Sequence, residues 1–372
     1  MAGVRLEHVT KAYGKKIAVE DLNMEFKEGE LFSIVGAAGA GKSTILKMIA
    51  GIEKPTSGTI YFNERSVNDL PPQRRNVAMA FETYNLYPHL TVYKNIAFPL
   101  TTPKARANLT RRQERERVEE IAEFLGIKRL LDRKPVQLSG GEKQRVSLAR
   151  AMVRKAQVYL LDEPIAHLDA RLKFSTQKSL KRMSRKMGTA IIYVTHDYRE
   201  ALGLSNRVAV LNRGRVEQVG TPKEIFDTPA TDFVARFIGD PPTNLMDGEI
   251  LKKDGQTCFR TANFDIEIQE DLLEPLESVV EKEGGKSTVR MGIRSFHIRV
   301  AGEKKSRNAF QLPIYAIFRT PEGTMLTFEL ENSFLQVSLE GQADFGMSDK
   351  VWLDFDQEHM LFFKKTIKIA KM

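Results

Sequence analysis

The chain has 372 residues, of which 42% are hydrophobic and 28% charged, and a net charge of +9. This fits a globular protein of two or three domains, and no apolar run reaches the ~18 residues that a membrane helix needs. The first residues lack the apolar core of a signal peptide, and Cys258, the single cysteine, excludes an intrachain disulfide and fits a reducing cytoplasm.

In chain order, the first strong signal is Glu30-Leu31-Phe32-Ser33-Ile34-Val35, which reads as a buried strand running into Gly36-Ala37-Ala38-Gly39-Ala40-Gly41-Lys42-Ser43-Thr44. The second segment fits G-x-x-x-x-G-K-[ST], the phosphate-binding P-loop. Its glycines let successive backbone N–H groups turn inward as an anion nest. Lys42 supplies a point charge for the β- and γ-phosphates, and Ser43 offers a hydroxyl to Mg²⁺. Ile45, Leu46, Met48 and Ile49 continue as an apolar helix whose N-terminus faces the phosphates. The chain is therefore expected to bind ATP with Mg²⁺.

Short apolar runs at 31–35, 77–81, 157–161, 190–194 and 207–211 alternate with amphipathic helices, the pattern of a mainly parallel α/β sheet. Between Glu82 and Gly140 the pattern becomes mostly helical. Val118, Ile121, Ala122 and Leu125 form one apolar face closed by Gly126. On that helix Arg111, Arg112, Arg115 and Arg117 alternate with Glu114, Glu116, Glu119 and Glu120, a solvated face rather than a nucleic-acid stripe. Leu138-Ser139-Gly140-Gly141-Glu142 then opens a helix, with Ser139 at or near its N-cap and two glycines exposing N–H groups beside a second anion site. Val158-Tyr159-Leu160-Leu161-Asp162-Glu163-Pro164 is an apolar strand ending in two acids. In a parallel sheet its end faces the P-loop crevice, where Asp162 is placed for Mg²⁺ and Glu163 for polarising the attacking water.

Gly239-Asp240-Pro241-Pro242-Thr243-Asn244 reads as a linker. Beyond it the period becomes two: Val289, Met291 and Ile293; Leu326, Phe328 and Leu330; Leu335, Val337 and Leu339; Val351, Leu353 and Phe355. Such short strands with turns predict a small β-barrel domain. The expected division is an ATPase domain over 1–235, with a helical subdomain over about 83–150, and a β domain over 236–372. Lys364, Lys365, Lys368 and Lys371 make the C-terminus basic, a solubilising tail or a contact for lipid headgroups.

These motifs together resemble the ATPase subunits of ABC transporters. Leu138 to Glu142 is similar to the ABC signature, with Glu142 where Gln is frequent. The resemblance implies that Ser139, Gly140, Gly141 and Glu142 meet the ATP of a partner subunit, identical or paralogous, in a head-to-tail pair. It implies that Tyr13 stacks on adenine, that His196 in Val194-Thr195-His196-Asp197 contacts the γ-phosphate, and that Leu168-Asp169-Ala170 is the D-loop. Tyr84 to Val92 resembles the segment of importer ATPases that receives membrane subunits. Val219-Gly220-Thr221-Pro222, Phe237 to Pro242 and Gly292-Ile293-Arg294 resemble the maltose and glycerol-3-phosphate importer group, in which an OB-like, TOBE-type β domain follows the ATPase domain. That group implies two membrane-spanning permease subunits, an extracytoplasmic solute-binding protein, and a place on the cytoplasmic face of the membrane.

Glu82 stands where the family has the Q-loop Gln, near Mg²⁺ and the attacking water. Ala166-His167 and Ala37-Ala38 are further departures. A subunit with altered regulation paired with a non-identical ATPase, and an ordinary homodimer tolerating Glu82, are both compatible with this pattern. The alternative of a soluble ABC ATPase acting on nucleic acid fits the positive charge. It meets the objections that one chain carries a single motif set and that the β domain lacks a basic-aromatic stacking surface.

Overall fold

The computed structural model describes residues 2–102, 109–166, 168, 170–253, 256–269, 276, 286–331, 333–364 and 367–371. The chain divides into two compact units, Met1–Pro222 and Lys223–Met372.

The first unit begins with β1 (Ala2–Tyr13), β2 (Lys16–Lys27), β3 (Leu31–Val35), α1 (Lys42–Ala50), β4 (Ser57–Phe62), β5 (Arg65–Ser66) and β6 (Val77–Ala80). Helices α2 (Val92–Ala97), α3 (Arg111–Phe124) and α4 (Gly140–Met152) follow. It then runs through β7 (Val158–Asp162), α5 (Ala170–Met187), β8 (Ala190–Thr195), α6 (Tyr198–Leu204), β9 (Arg207–Asn212) and β10 (Arg215–Gly220). The central sheet has the order β10-β9-β3-β8-β7-β6, parallel except for β10. A second, antiparallel sheet has the order β2-β1-β4-β5.

The central strands are mostly apolar because both faces are covered. Leu160, Ile192 and Val194 point to a core shared with Val4, Leu6, Phe26, Ile45, Leu46 and Ile49. Their neighbours Tyr159, Leu161, Ile191 and Tyr193 point to the opposite core, with Ile96, Val118, Val146 and Leu148 from the helical region. Helix α3 starts at a capping box in which Thr110 and Gln113 satisfy each other's backbone N–H groups. It ends where Gly126 adopts φ +66°.

Among the described residues the second unit is β apart from α7 (Pro222–Asp227), α8 (Asp232–Phe237), two 3-10 turns and helical Leu276. Its strands are β11 (Asn244–Lys253), β12 (Gln256–Arg260), β13 (Asp265–Glu267), β14 (Lys286–Ile293), β15 (Ile298–Ala301), β16 (Phe310–Arg319), β17 (Gly323–Leu330), β18 (Ser333–Glu340), β19 (Lys350–Phe355), β20 (Leu361–Lys364) and β21 (Ile367–Lys371). They form two antiparallel sheets, β13-β12-β11-β14-β20-β21 and β15-β19-β16-β17-β18. Val289, Met291, Ile293, Leu326, Phe328, Leu335, Val337, Val351 and Leu353 fill the core between them. An all-β C-terminal domain, consistent with the TOBE type, is thus present.

The division into compact units falls at Pro222, before the expected 235/236 boundary, and residues 239–244 lie within the second unit. The cause is a set of polar anchors. Arg294 donates to the carbonyls of Ile238 at 2.6 Å and Phe226 at 2.7 Å. Thr243 Oγ1 donates to Ala235 O at 2.6 Å. Arg290 pairs with Asp232 at 2.7 Å. These bonds tie α7 and α8 to the β sheets.

Candidate active site

Strand register assembles the site. Val35 lies beside Thr195, Val194 beside Asp162, and Ala80 beside Leu161. The C-terminal ends of β3, β8, β7 and β6 therefore lie along one edge of the sheet. From that edge emerge the P-loop, His196, the Asp162-Glu163 pair and Glu82.

The P-loop runs from buried Gly36 over an exposed tip, Ala37 to Gly39, back to half-buried Gly41. Gly36 is required because an added Cβ would lie 2.3 Å from Leu211 O. Gly41, the N-cap of α1, has φ +105°, and its Cβ would meet Ala18 O at 2.4 Å. No side chain caps α1. Lys42 is buried and its Nζ donates to Gly36 O at 2.9 Å and Ala37 O at 3.1 Å, which holds the loop closed over the ammonium. Ser43 and Thr44 follow on the first turn of α1, and Ser43 Oγ donates to Asp162 Oδ1 at 3.1 Å.

Glu163 has a left-handed backbone, φ +47°, a conformation that non-glycine residues adopt only when held. Its N–H donates to Val194 O at 2.9 Å, its carbonyl accepts from Gln144 Nε2 at 2.7 Å, and its Oε2 lies 2.6 Å from His196 Nδ1. The carboxylate is an acceptor, so Nδ1 is the donor in this bond. The His196 turn is fixed from below by buried Glu200, which accepts from Tyr193 Oη at 2.8 Å and Thr195 Oγ1 at 3.0 Å and pairs with Lys173 at 2.9 Å. Burial and the Glu200 charge push the Tyr193 phenol well above its ordinary value.

The electrostatics join these groups into one field. Burial raises the Asp162 carboxyl above its usual range; the Ser43 hydrogen bond opposes this, and the charges of Glu82 and Glu163 reinforce it. Burial lowers the Lys42 ammonium, while Glu163, Asp162 and Glu82 draw it back up. Glu82, exposed on the turn after β6, therefore contributes its charge to both groups. Ser43, Asp162 and Glu82 present oxygen donors only, the chemistry that suits Mg²⁺.

Two expected groups stand apart from this cluster. Tyr13 ends β1, 46% exposed, with Lys11 Nζ 4.8 Å from its ring centre. Ser139 caps α4 and forms a capping box with Glu142: Ser139 N donates to Glu142 Oε2 at 2.9 Å and Glu142 N to Ser139 Oγ at 3.3 Å. These bonds hold the Glu142 carboxyl below its usual range. Gly140 and Gly141 follow as the first residues of α4. Asp169 lies outside the described residues.

Residues that the sequence reading passed over do much of the positioning. Gln144 is buried on the inner face of α4 and reaches Glu163. Arg150 donates to Asn85 O at 2.5 Å and Tyr84 O at 2.8 Å, both residues having positive φ. Asn95, fully buried, binds the 87–91 backbone. The available signal was a polar residue within an otherwise buried helical stretch.

Comparison with known proteins follows the same lines. Residues 19–166 match the family model described as ABC transporter. The trehalose/maltose import ATP-binding protein MalK of Thermococcus litoralis is 47% identical over 282 residues, 74% of each chain. The sn-glycerol-3-phosphate import ATP-binding protein UgpC of Psychromonas ingrahamii is 38% identical over 98% of this chain and 94% of its own. An uncharacterized ABC transporter ATP-binding protein, YurJ of Bacillus subtilis, is 36% identical over 98% of both. Among solved structures, the dimeric bacterial ABC transporter cassette MJ0796 is 34% identical, with a TM-score of 0.55 over 59% of this chain and 98% of its own. The same cassette is also known in a post-hydrolysis state bound to ADP and Pi. With a P-loop, a signature helix and an acidic strand end on one scaffold, and relatives matched along nearly its whole length, the chain belongs to the ABC transporter family as one of its ATP-binding, ATP-hydrolysing subunits.

Proposed function

We propose that this chain is the motor of an importer for a small solute: a sugar, a polyol or a glycerol phosphate. Two such ATPase subunits, identical or paralogous, pair head to tail, with Ser139, Gly140, Gly141 and Glu142 of each meeting the other's ATP. The pair drives two membrane-spanning permease subunits from the cytoplasmic face, and an extracytoplasmic binding protein delivers the solute. The import activities named for its relatives, for trehalose/maltose and for sn-glycerol-3-phosphate, support this reading. No described helix is long and apolar enough to cross a membrane.

Within the site, Gly36 to Thr44 wrap the phosphates, Lys42 neutralises the β- and γ-phosphates, and Tyr13 offers its exposed ring to adenine. Ser43 and Asp162 would hold Mg²⁺, with Glu82 alongside; the metal supplies charge neutralisation on the phosphate oxygens. Glu163 takes the proton of the attacking water, and His196, oriented by its bond to Glu163, donates to the γ-phosphate. By resemblance, Asp169 belongs to the D-loop.

The observation that carries this mechanism is the Glu163–His196 pair at 2.6 Å, with His196 at the end of the strand beside that of the lysine loop. Glu163→Gln keeps the size and removes the base. It is expected to retain ATP binding and to lose about 10²- to 10⁴-fold in turnover. Equilibrium nucleotide binding and single-turnover hydrolysis measured on the same preparation decide the matter; turnover within a few-fold of the original would assign the base to another residue.

A further inference from the structure

We propose that the second unit carries a binding site for a first-row divalent transition-metal ion, formed by His297, Asp356 and His359. Each residue offers one ligand atom, and these atoms all lie within 4.8 Å of one another.

The strand register creates the cluster. After β14 the chain leaves the six-stranded sheet through the turn Ser295–His297 and enters β15 of the five-stranded sheet. After β19 it returns through Gln357–His359 to β20. The strands on either side of the crossings are paired, Gly292 with Leu361 and Ile298 with Phe355. The two crossings therefore run side by side. Asp356 N donates to His297 O at 3.0 Å and His359 N to Asp356 O at 3.1 Å, so all three residues hang on one hydrogen-bonded frame.

The side chains are arranged accordingly. The two imidazole rings lie face to face, 3.6 Å between centres and 11° from parallel. His359 Nδ1 lies 3.1 Å from Asp356 Oδ2. Nδ1 and the carboxylate face one another, so an ion shared between them takes the Nδ1 lone pair and the ring proton moves to Nε2. Two imidazoles and one carboxylate form a donor set for Zn²⁺ or its first-row neighbours, and three protein ligands leave a position for water. Parallel rings do not aim both lone pairs at one point. Closing on an ion at Zn–N distances of about 2.0–2.1 Å therefore takes rotation of one ring. All three residues are half-buried, so that rotation leaves the apolar core in place. Arg299, whose guanidinium is 4.0 Å from Asp356 and 75% exposed, swings toward solvent as the cation enters.

The test uses the full chain stripped with a chelator, titrated with Zn²⁺ by calorimetry and with Co²⁺ by visible absorption. One equivalent is expected to be lost, or weakened by at least about tenfold, in both His297→Ala and His359→Ala. His8→Ala, which removes an exposed histidine that also faces a carboxylate, Asp21 at 2.8 Å, leaves that equivalent intact. Zn²⁺ raises the unfolding temperature of the wild-type second unit and not that of the two variants. If either alanine variant fails to fold, Asp356→Asn is read in its place. Wild-type protein that binds no stoichiometric equivalent, or an equivalent that survives both histidine substitutions, overturns the site.

Discussion

Glu82 places a carboxylate where a site must receive a polyphosphate, and its charge reaches both Asp162 and Lys42. The two consequences have opposite signs. Against metal-free ATP the carboxylate repels; toward the metal it attracts. At a water-exposed position one such charge is worth on the order of 1 kcal/mol. Glu82→Gln is therefore expected to bind ATP about fivefold more tightly in a chelator, while the Mg²⁺ concentration for half-maximal hydrolysis rises. Nucleotide titrations with and without Mg²⁺ check this; an equal change under both conditions contradicts the charge argument. At this scale the catalytic groups were legible because each sits in a short motif with a fixed neighbour: Lys42 beside Ser43, Asp162 beside Glu163. Gln144 was not legible in the same way. Its partner is the main-chain carbonyl of Glu163, just past the end of β7, and no local pattern announces a bond that only packing creates.

At the scale of elements, the segment expected to receive the membrane subunits is held by polar groups from two helices. Helix α2 is capped by Thr91 and contributes Asn95. The Asn95 amide accepts from Tyr87 N at 2.8 Å and donates toward the carbonyls of Tyr87, Leu90 and Thr91 at 3.0–3.2 Å. Removing it strands buried backbone groups, each costing about 1–3 kcal/mol. Asn95→Ala is expected to lower the unfolding free energy by about 2 kcal/mol and, in the assembled transporter, to reduce transport more than nucleotide binding. Denaturant unfolding together with a transport-to-hydrolysis ratio tests it; an unchanged ratio would leave Asn95 a purely structural residue. Element identity was readable wherever one period ran unbroken: 3.6 in α3, two in β17 and β18, and continuous apolar runs in β3 and β8. The antiparallel sheet of β1, β2 and β4 escaped notice for the converse reason. The pairing of β1 shifts register repeatedly, and His8 and Asp21 adopt positive φ at the irregularities. Each bulge reverses the in/out phase and cuts the alternation of β1 short, while the one legible run, Leu22, Met24 and Phe26 of β2, was passed over.

At the scale of the molecule, the sequence placed the domain change at a breaker-rich stretch, whereas the structure places it at Pro222. Pro and Gly mark irregular backbone, but they do not say which unit that backbone packs on. Here the decision lies with Arg290, Arg294 and Thr243, whose bonds draw residues 226–243 into the β unit. Phe226 lies under the Arg294 guanidinium, 3.8 Å from ring centre to charge, and Ala235 packs on Leu361 and Phe363. A fragment ending at residue 240 carries α7 and α8 without the surface that buries Val234, Ala235 and Ile238, whereas a fragment ending at Pro222 does not. The motifs for the nucleotide all precede that point. The 1–222 fragment is therefore expected to remain monodisperse and to bind ATP as the full chain does, and the 1–240 fragment to self-associate through its exposed apolar helices. Light scattering and nucleotide binding on the two fragments decide it. A 1–240 fragment that is the better behaved of the two would show that the helices belong with the ATPase unit, and would return the boundary to the position that the sequence suggested.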